Sequence, residues 1–174
     1  MAGSTLIVPQ QALAALPGGP RQDLLDEFAK IVKNYAEGRW EPAELDGGKL
    51  AEAAYCVCRG YVDGSYPARA SKPGNMADAC RALEKETASV PRSIKIQIPR
   101  MALALYEIRN NRGVGHVGGD IDPNHMDATC VLQMSKWIVA ELIRALHGMP
   151  VDDAAELVEA LVERETPLVW KVGD

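Results

Sequence analysis

The chain has 174 residues, of which 47% are hydrophobic and 25% charged, a balance that fits one globular domain with a sizeable core. Its formal net charge of −5 argues against binding nucleic acid through bulk positive charge. No apolar run is long enough to span a membrane, and the N-terminus lacks the cationic start of a secretion signal. We therefore expect a cytoplasmic protein without membrane association.

The four cysteines form no CxxC pair. Cys56, Cys58 and Cys130 lie in apolar helical stretches, where free cysteines behave as small buried hydrophobic residues of a reducing compartment. Their spacing does not match a structural zinc site. We expect neither a metal nor another cofactor.

The first half of the chain contains three predicted helices. Residues 1–19 are predicted to form an N-terminal tail with one short apolar piece, and Pro20 opens the first helix. Asp46 is a favourable N-cap, so a second helix is predicted to begin after it and to end near Tyr61. Asn75 is predicted to cap a third helix.

The second half is also predicted to be largely helical. Residues 94–98 alternate apolar and polar side chains as a strand does, yet they also lengthen the helix predicted over 100–111, and both interpretations stay open. Asp122 and Pro123 are predicted to open a helix that reaches His147 and is apolar nearly all round. Such a helix belongs in the core or in a subunit interface.

These elements predict an all-α fold, an antiparallel helical bundle over residues 20–165. A last amphipathic helix is predicted over residues 151–164. Residues 166–174 resemble a strand and turn, so we expect a short β-like tail or the start of a further small domain.

The most informative stretch is residues 107–119, Glu-Ile-Arg-Asn-Asn-Arg-Gly-Val-Gly-His-Val-Gly-Gly. Six residues separate Arg109 from His116, and glycines interrupt the chain between and after them. A guanidinium binds phosphate oxygens as a planar fork, and an imidazole exchanges protons near neutral pH. Glycines let backbone amides approach an anion closely. The pattern favours phosphodiester chemistry with His116 as general acid or base.

The neighbouring polar residues are candidates for supporting or RNA-binding roles. These are Asn110, Asn111, Arg112 and Arg100, with Arg112 also an alternative partner for the histidine. A structural interpretation stays open as well, because amides and cations cap helix ends and a lone loop histidine is often only a hydrogen-bonding group. Several acidic and histidine residues follow the glycines, but their spacing fits no defined metal frame; they are His116, Asp120, Asp122, His125 and Asp127.

Arg109-Asn110 followed by His116, at a helix end in an all-helical domain of this size, resembles the HEPN superfamily. The likeness is most specific over residues 100–147 and is greatest to abortive-infection modules of antiphage systems. It implies a metal-independent endoribonuclease with Arg109 and His116 as the catalytic pair and Asn110 as the supporting polar residue. It also implies a site shared across a homodimer and products that carry a 2′,3′-cyclic phosphate and a 5′-hydroxyl.

The resemblance therefore predicts RNA as substrate, a homodimer or higher homo-oligomer, and a role in antiphage defence or as a toxin. A partner defence protein or antitoxin is a further expected partner. Two alternatives come from other functional classes. One is a non-catalytic helical dimerisation or adaptor module of a larger defence complex, and the other is an RNA-binding, antitoxin-like partner of a nuclease.

Overall fold

The computed structural model describes residues 11–87, 89–112 and 121–165. Within these ranges the chain forms helices and no β-strand, so the predicted all-α bundle is confirmed. The helices are α1 (Gly18–Ala36), α2 (Trp40–Asp63), α3 (Met76–Glu84), α4 (Ile98–Asn111), α5 (His125–His147) and α6 (Val151–Glu165). The β-like tail predicted for residues 166–174 lies outside the described residues. No helix in the described ranges has the length and apolar character needed to cross a membrane.

Helix α2 lies at the centre of the bundle and contacts α1, α3, α4 and α5. Two adjacent glycines allow this close packing. A Cβ atom on Gly47 would lie 2.6 Å from Cγ1 of Val131 in α5, and one on Gly48 would lie 3.0 Å from Cγ of Arg109 in α4. Any larger residue would force these helices apart, so the glycine pair fixes how closely α5 and the end of α4 approach α2.

The start of α2 differs from the sequence prediction. The helix begins at Trp40, and Asp46 is an interior residue that is only 5% exposed. Asn34 of α1 donates a hydrogen bond to Oδ2 of Asp46 at 2.9 Å, and Lys49 pairs with Oδ1 at 3.0 Å. The prediction of Asp46 as an N-cap was wrong, because its carboxylate binds a neighbouring helix and its own helix instead of the helix start.

Residues Ser93–Gln97 form a π-helical segment that continues directly into α4. The alternation seen in the sequence is therefore not a strand. Ile94 of this segment and Ile98, the first residue of α4, are fully buried in the helical core. A π-helix has a wider turn than an α-helix, and residues four apart lie on the same side of it. The segment therefore lengthens the helix predicted over 100–111, as one of the two interpretations of the sequence has it.

The start of the domain and the start of α5 differ from the sequence prediction. Three residues of the predicted tail, Ala12, Leu13 and Leu16, are buried in the same core as the helices. Helix α5 begins at His125, after the predicted opening at Asp122 and Pro123. The side chain of Asn124 caps it by accepting a hydrogen bond from the backbone N–H of Asp127 at 3.0 Å. The Asn75 cap on α3 is confirmed in the same way, with Asp78 as donor at 3.1 Å.

Helix α5 buries one face in the core and exposes an apolar stripe on the other. Met126 is 66% exposed and Trp137 is 37% exposed, and Cys130 lies between them on the same face. The prediction that Cys130 is buried was therefore wrong, whereas Cys56 and Cys58 are buried as expected. Because α5 is apolar nearly all round, its sequence did not indicate which face packs into the core and which face is exposed to solvent.

Replacing the first glycine of α2 tests the packing at the centre of the bundle. We expect Gly47→Ala to lower the free energy of unfolding by about 1–2 kcal/mol, since overpacking against Val131 costs about 1–3 kcal/mol and helix propensity returns at most about 1 kcal/mol. Urea unfolding measures the change.

Gly18→Ala is the matched control, because no atom lies within 4 Å of the added methyl group. Val131→Ala is expected to cost less in the Gly47→Ala protein than in the parent, since the new methyl group occupies part of the space released. Strictly additive effects of the two substitutions would contradict the contact.

Candidate functional site

The predicted site falls at the C-terminal end of α4. Arg109, Asn110, Asn111 and Arg112 are described, whereas His116 and the rest of residues 113–120 lie outside the described residues. The two ends of that segment are joined, because Arg112 and Ile121 form an isolated parallel β-bridge. The segment that carries the predicted catalytic histidine therefore leaves and re-enters the described structure at one place, between α4 and α5.

Arg112 is bound to α5. Its Nε lies 2.7 Å from Oδ2 of Asp127 and its Nη2 lies 3.5 Å from Oδ1, so the guanidinium faces both carboxylate oxygens. The two side chains are 23% and 8% exposed. A partly buried, two-point ion pair of this kind holds the end of α4 against the start of α5. Arg112 is thus occupied by a structural contact at the base of the loop.

A buried carboxyl group lies beneath this ion pair. Glu44 of α2 has no exposed surface, and its Oε1 accepts a hydrogen bond from the backbone N–H of Asn124 at 3.0 Å. Its Oε2 has no hydrogen-bond partner in the part of the chain that the structure describes. Burial raises the pKa of Glu44, the nearby charge of Asp127 raises it further, and Arg112 opposes both.

Arg109 differs from Arg112 in its surroundings. Its aliphatic stem packs on Gly48, and its Cζ lies 6.0 Å from the centre of the Tyr106 ring. Nη1 donates a hydrogen bond to Oδ1 of Asn110 at 3.1 Å. Among the described residues it forms no ion pair, although Glu52 is near enough for Arg109 to oppose the burial that raises the pKa of that carboxyl. Its guanidinium therefore keeps unused hydrogen-bond donors.

The other predicted supporting residues have local partners. Asn111 donates from Nδ2 to the backbone oxygen of Glu107 at 3.1 Å and to Oε2 of the same residue at 2.9 Å. Arg100 forms a two-point ion pair with Glu84, at 2.8 Å and 2.7 Å, on the exposed surface at the opposite end of α4. Among the predicted site residues that the structure describes, Arg109 and Asn110 are thus the pair that lies together at the end of α4 without an ion-pair partner.

One face of α2 organises this end of the molecule. Trp40, Glu44 and Gly48 follow one another at intervals of four residues and so lie on a single helical stripe. They contact, in turn, the ring of His125, the backbone of Asn124 and the stem of Arg109. Sequence reasoning missed this stripe. The spacing of four was visible, but nothing in the sequence alone identified which helix packs across it.

A cavity of about 270 Å³ lies close to this stripe, between α1, α2 and the chain that follows α2. Its cationic residues are engaged by carboxylates: Lys49 pairs with Asp46 at 3.0 Å, and Arg69 pairs with Asp23 at 2.5 Å. The cavity therefore presents no unpaired cation for a phosphate group. We do not include it in the candidate site.

The acidic and histidine residues considered as metal ligands are dispersed over other contacts. Asp127 binds Arg112, and His125 contacts Tyr35 and Thr129. In the described ranges no group of three or more histidine, cysteine, aspartate or glutamate side chains is arranged to hold a metal ion. His116 and Asp120 lie outside those ranges.

Comparison with known proteins adds nothing to this geometry: no protein-family model, no curated protein and no solved structure matches the chain. The site must therefore be interpreted from its own residues and contacts.

The ion pair at the loop base is expected to contribute measurably to stability. We expect Arg112→Ala to lower the free energy of unfolding by about 1–3 kcal/mol, because it leaves the buried carboxylate of Asp127 without its cation. Arg100→Ala is the matched control, since it removes a similar two-point pair from the exposed surface, where ion pairs contribute little. Equal losses in urea unfolding of the two variants would contradict the structural role of Arg112.

Glu44 is expected to make stability depend on pH. Because its pKa is raised in the folded state, folding favours its protonated form, and this contribution is complete below the unfolded pKa of about 4.3. This contribution to stability is lost as the pH rises from the unfolded pKa through the pKa of Glu44 in the folded protein. Glu44→Gln keeps an oxygen that accepts from Asn124 but does not ionise. We expect this variant to gain stability relative to the parent protein between about pH 4 and pH 7. A difference that stays constant in urea unfolding over this range would contradict the prediction.

Proposed function

We propose that the chain is a metal-independent endoribonuclease of the HEPN type that works as a homodimer. Arg109 binds the scissile phosphate and His116 transfers protons, with Asn110 holding the guanidinium. The proposal combines the spacing of Arg109 and His116 in the sequence with the contacts of the described residues at the end of α4.

The observation that carries the proposal is the difference between the arginines of this helix end. Arg112 is committed to Asp127 and Arg100 to Glu84, whereas Arg109 forms no ion pair with any residue that the structure describes and lies just before residues 113–120, which include His116. A phosphate that gains charge during reaction needs such a donor, held in place by neighbours and without a competing carboxylate. This favours Arg109 over Arg112 as the catalytic arginine.

The proposed reaction is an internal phosphoryl transfer. A base removes the proton of the ribose 2′-hydroxyl, and the 2′-oxygen attacks phosphorus. The bond from phosphorus to the 5′-oxygen breaks, and that oxygen takes a proton from an acid. The products are a 2′,3′-cyclic phosphate and a 5′-hydroxyl, and no metal or redox partner enters the balance. Arg109 stabilises the charge on the non-bridging oxygens.

Two proton transfers call for a second group besides one His116. In a twofold dimer the second protomer supplies its own histidine to the same cleft. The exposed apolar stripe of α5, with Met126, Cys130 and Trp137, supports pairing of two copies, since an unpartnered apolar helix face is typical of an interface. The same stripe equally supports the alternative function, a dimerisation or adaptor module without catalysis.

Cleavage of RNA in the presence of EDTA tests the proposal directly. We expect the parent protein to cut total cellular RNA, and His116→Ala and Arg109→Ala each to lower the rate by about 100-fold or more. The 3′ ends of the fragments are expected to resist ligation until the cyclic phosphate is removed. Arg81→Ala serves as the control, because this exposed arginine of α3 pairs with Asp78 of its own helix and lies outside the proposed site.

Folding of each variant is checked by circular dichroism and thermal unfolding before the rates are compared. Cleavage that persists in both variants, or that requires a divalent ion, would contradict the ribonuclease proposal. A folded dimer that cuts no RNA would support the adaptor alternative. An antiphage or toxin role in the cytoplasm is part of the proposal and would follow from RNA cleavage that depends on infection.

A further inference from the structure

Three aromatic rings from three helices meet at the end of the bundle where the loop is attached. Tyr35 lies in the last turn of α1, Trp40 begins α2 and His125 begins α5. The ring centres lie 5.7 Å apart for Tyr35 and Trp40, 5.8 Å for Tyr35 and His125, and 5.1 Å for Trp40 and His125. We call these three residues the aromatic cluster.

The cluster is held in place by hydrogen bonds and remains accessible. The Tyr35 hydroxyl lies 3.2 Å from Nε2 of His125 and 3.1 Å from Oγ1 of Thr129, and the Thr129 hydroxyl donates to the backbone oxygen of His125 at 2.7 Å. His125 is nevertheless exposed, and Tyr35 and Trp40 are partly exposed. Rings that are already fixed lose little conformational freedom when a flat ligand stacks on them.

The stripe of α2 relates this cluster to Arg109. Trp40, which contacts His125, and Gly48, which carries the stem of Arg109, are eight residues apart on one helical face. At about 1.5 Å per residue they are separated by about 12 Å along the axis. The same span covers about three nucleotides of a stacked strand, at about 3.4 Å each.

We propose that Tyr35, Trp40 and His125 form a stacking platform for an unpaired base of single-stranded RNA, a few nucleotides from the phosphate held by Arg109. This inference rests on the proposed ribonuclease function. Stacking on aromatic side chains requires bases that are not already stacked and paired in a duplex, so the platform selects single strands. Stacking also supplies affinity that does not depend on charge. The chain has a net charge of −5, so attraction to RNA phosphates contributes less to its affinity than in a basic protein.

Binding is measured separately from cleavage by placing every variant in the His116→Ala protein. The probe is a short fluorescein-labelled RNA, either single-stranded or annealed to its complement, and anisotropy gives Kd. We expect Trp40→Ala and His125→Gln each to raise Kd for the single strand about tenfold or more, because each removes a stacking surface. Trp40→Phe retains a ring and is expected to stay within about threefold of the parent. It also separates stacking from any effect of Trp40→Ala on folding.

Val151→Ala is the control, since it shortens an exposed apolar side chain at the start of α6, outside both the cluster and the apolar stripe of α5. It is expected to leave Kd unchanged. Unchanged binding by folded Trp40→Ala and His125→Gln would overturn the platform, as would an equal loss in Val151→Ala or equal affinity of the parent for duplex and single strand. If one of these binding results is found and the protein still cleaves RNA in a way that depends on His116, the platform is overturned and the ribonuclease function stands. Ring-dependent binding without any cleavage by the protein that retains His116 would uphold the platform and overturn the ribonuclease function alone.

Discussion

The arrangement of this bundle depends on the close contact that two glycines of α2 permit. Gly47 admits Val131 of α5 and Gly48 admits the stem of Arg109, so α4 and α5 both lie directly on the α2 backbone. Glycine within a helix costs about 1 kcal/mol relative to alanine, and here the contacts across the helix offset that cost. The position of the candidate site is thereby set by the core, because the residue that holds Arg109 in place belongs to the most enclosed helix.

The contacts with α5 and α2 separate two arginines that the sequence offers as partners of the histidine, Arg109 as the predicted one and Arg112 as the alternative. Both lie in the Arg-Asn-Asn-Arg stretch, and both are followed by glycine and histidine. The buried carboxylate of Asp127 binds Arg112, whereas Arg109 packs its stem on Gly48 of α2 and donates a hydrogen bond to the side-chain oxygen of Asn110. This difference comes from the opposing helix and from burial. It is the structural reason for assigning the proposed phosphate contact to Arg109 and a structural contact to Arg112.

Much of the fold was predictable from local patterns. The helical stripes, the Asn75 cap and the end of α5 at His147 depend on neighbouring residues and were visible in the sequence. The errors concern tertiary contacts. Asp46 has the side chain of an N-cap, but Asn34 of another helix binds it, and the exposure of Cys130 depends on which face of an apolar helix meets the core.

The candidate site was predicted only in part for the same reason. The order Arg109, Asn110 and His116 is a local pattern, and the structure brings the first two together. The importance of Glu44, Gly48 and the aromatic cluster follows from packing between helices that are distant in sequence, such as Tyr35 with His125. A single sequence contains no direct signal for such pairs.

The bridge between Arg112 and Ile121 has a consequence for how this protein can change over time. Because the two ends are joined by the frame itself, the entropy of closing the intervening segment grows only slowly with its length, by about 0.6 kcal/mol for each doubling. Changes of length between these two anchors therefore carry little penalty for the helices, and the constraint on length comes instead from the spacing of Arg109 and His116 that the proposed function requires. The frame and the segment that carries the histidine are free to evolve at different rates.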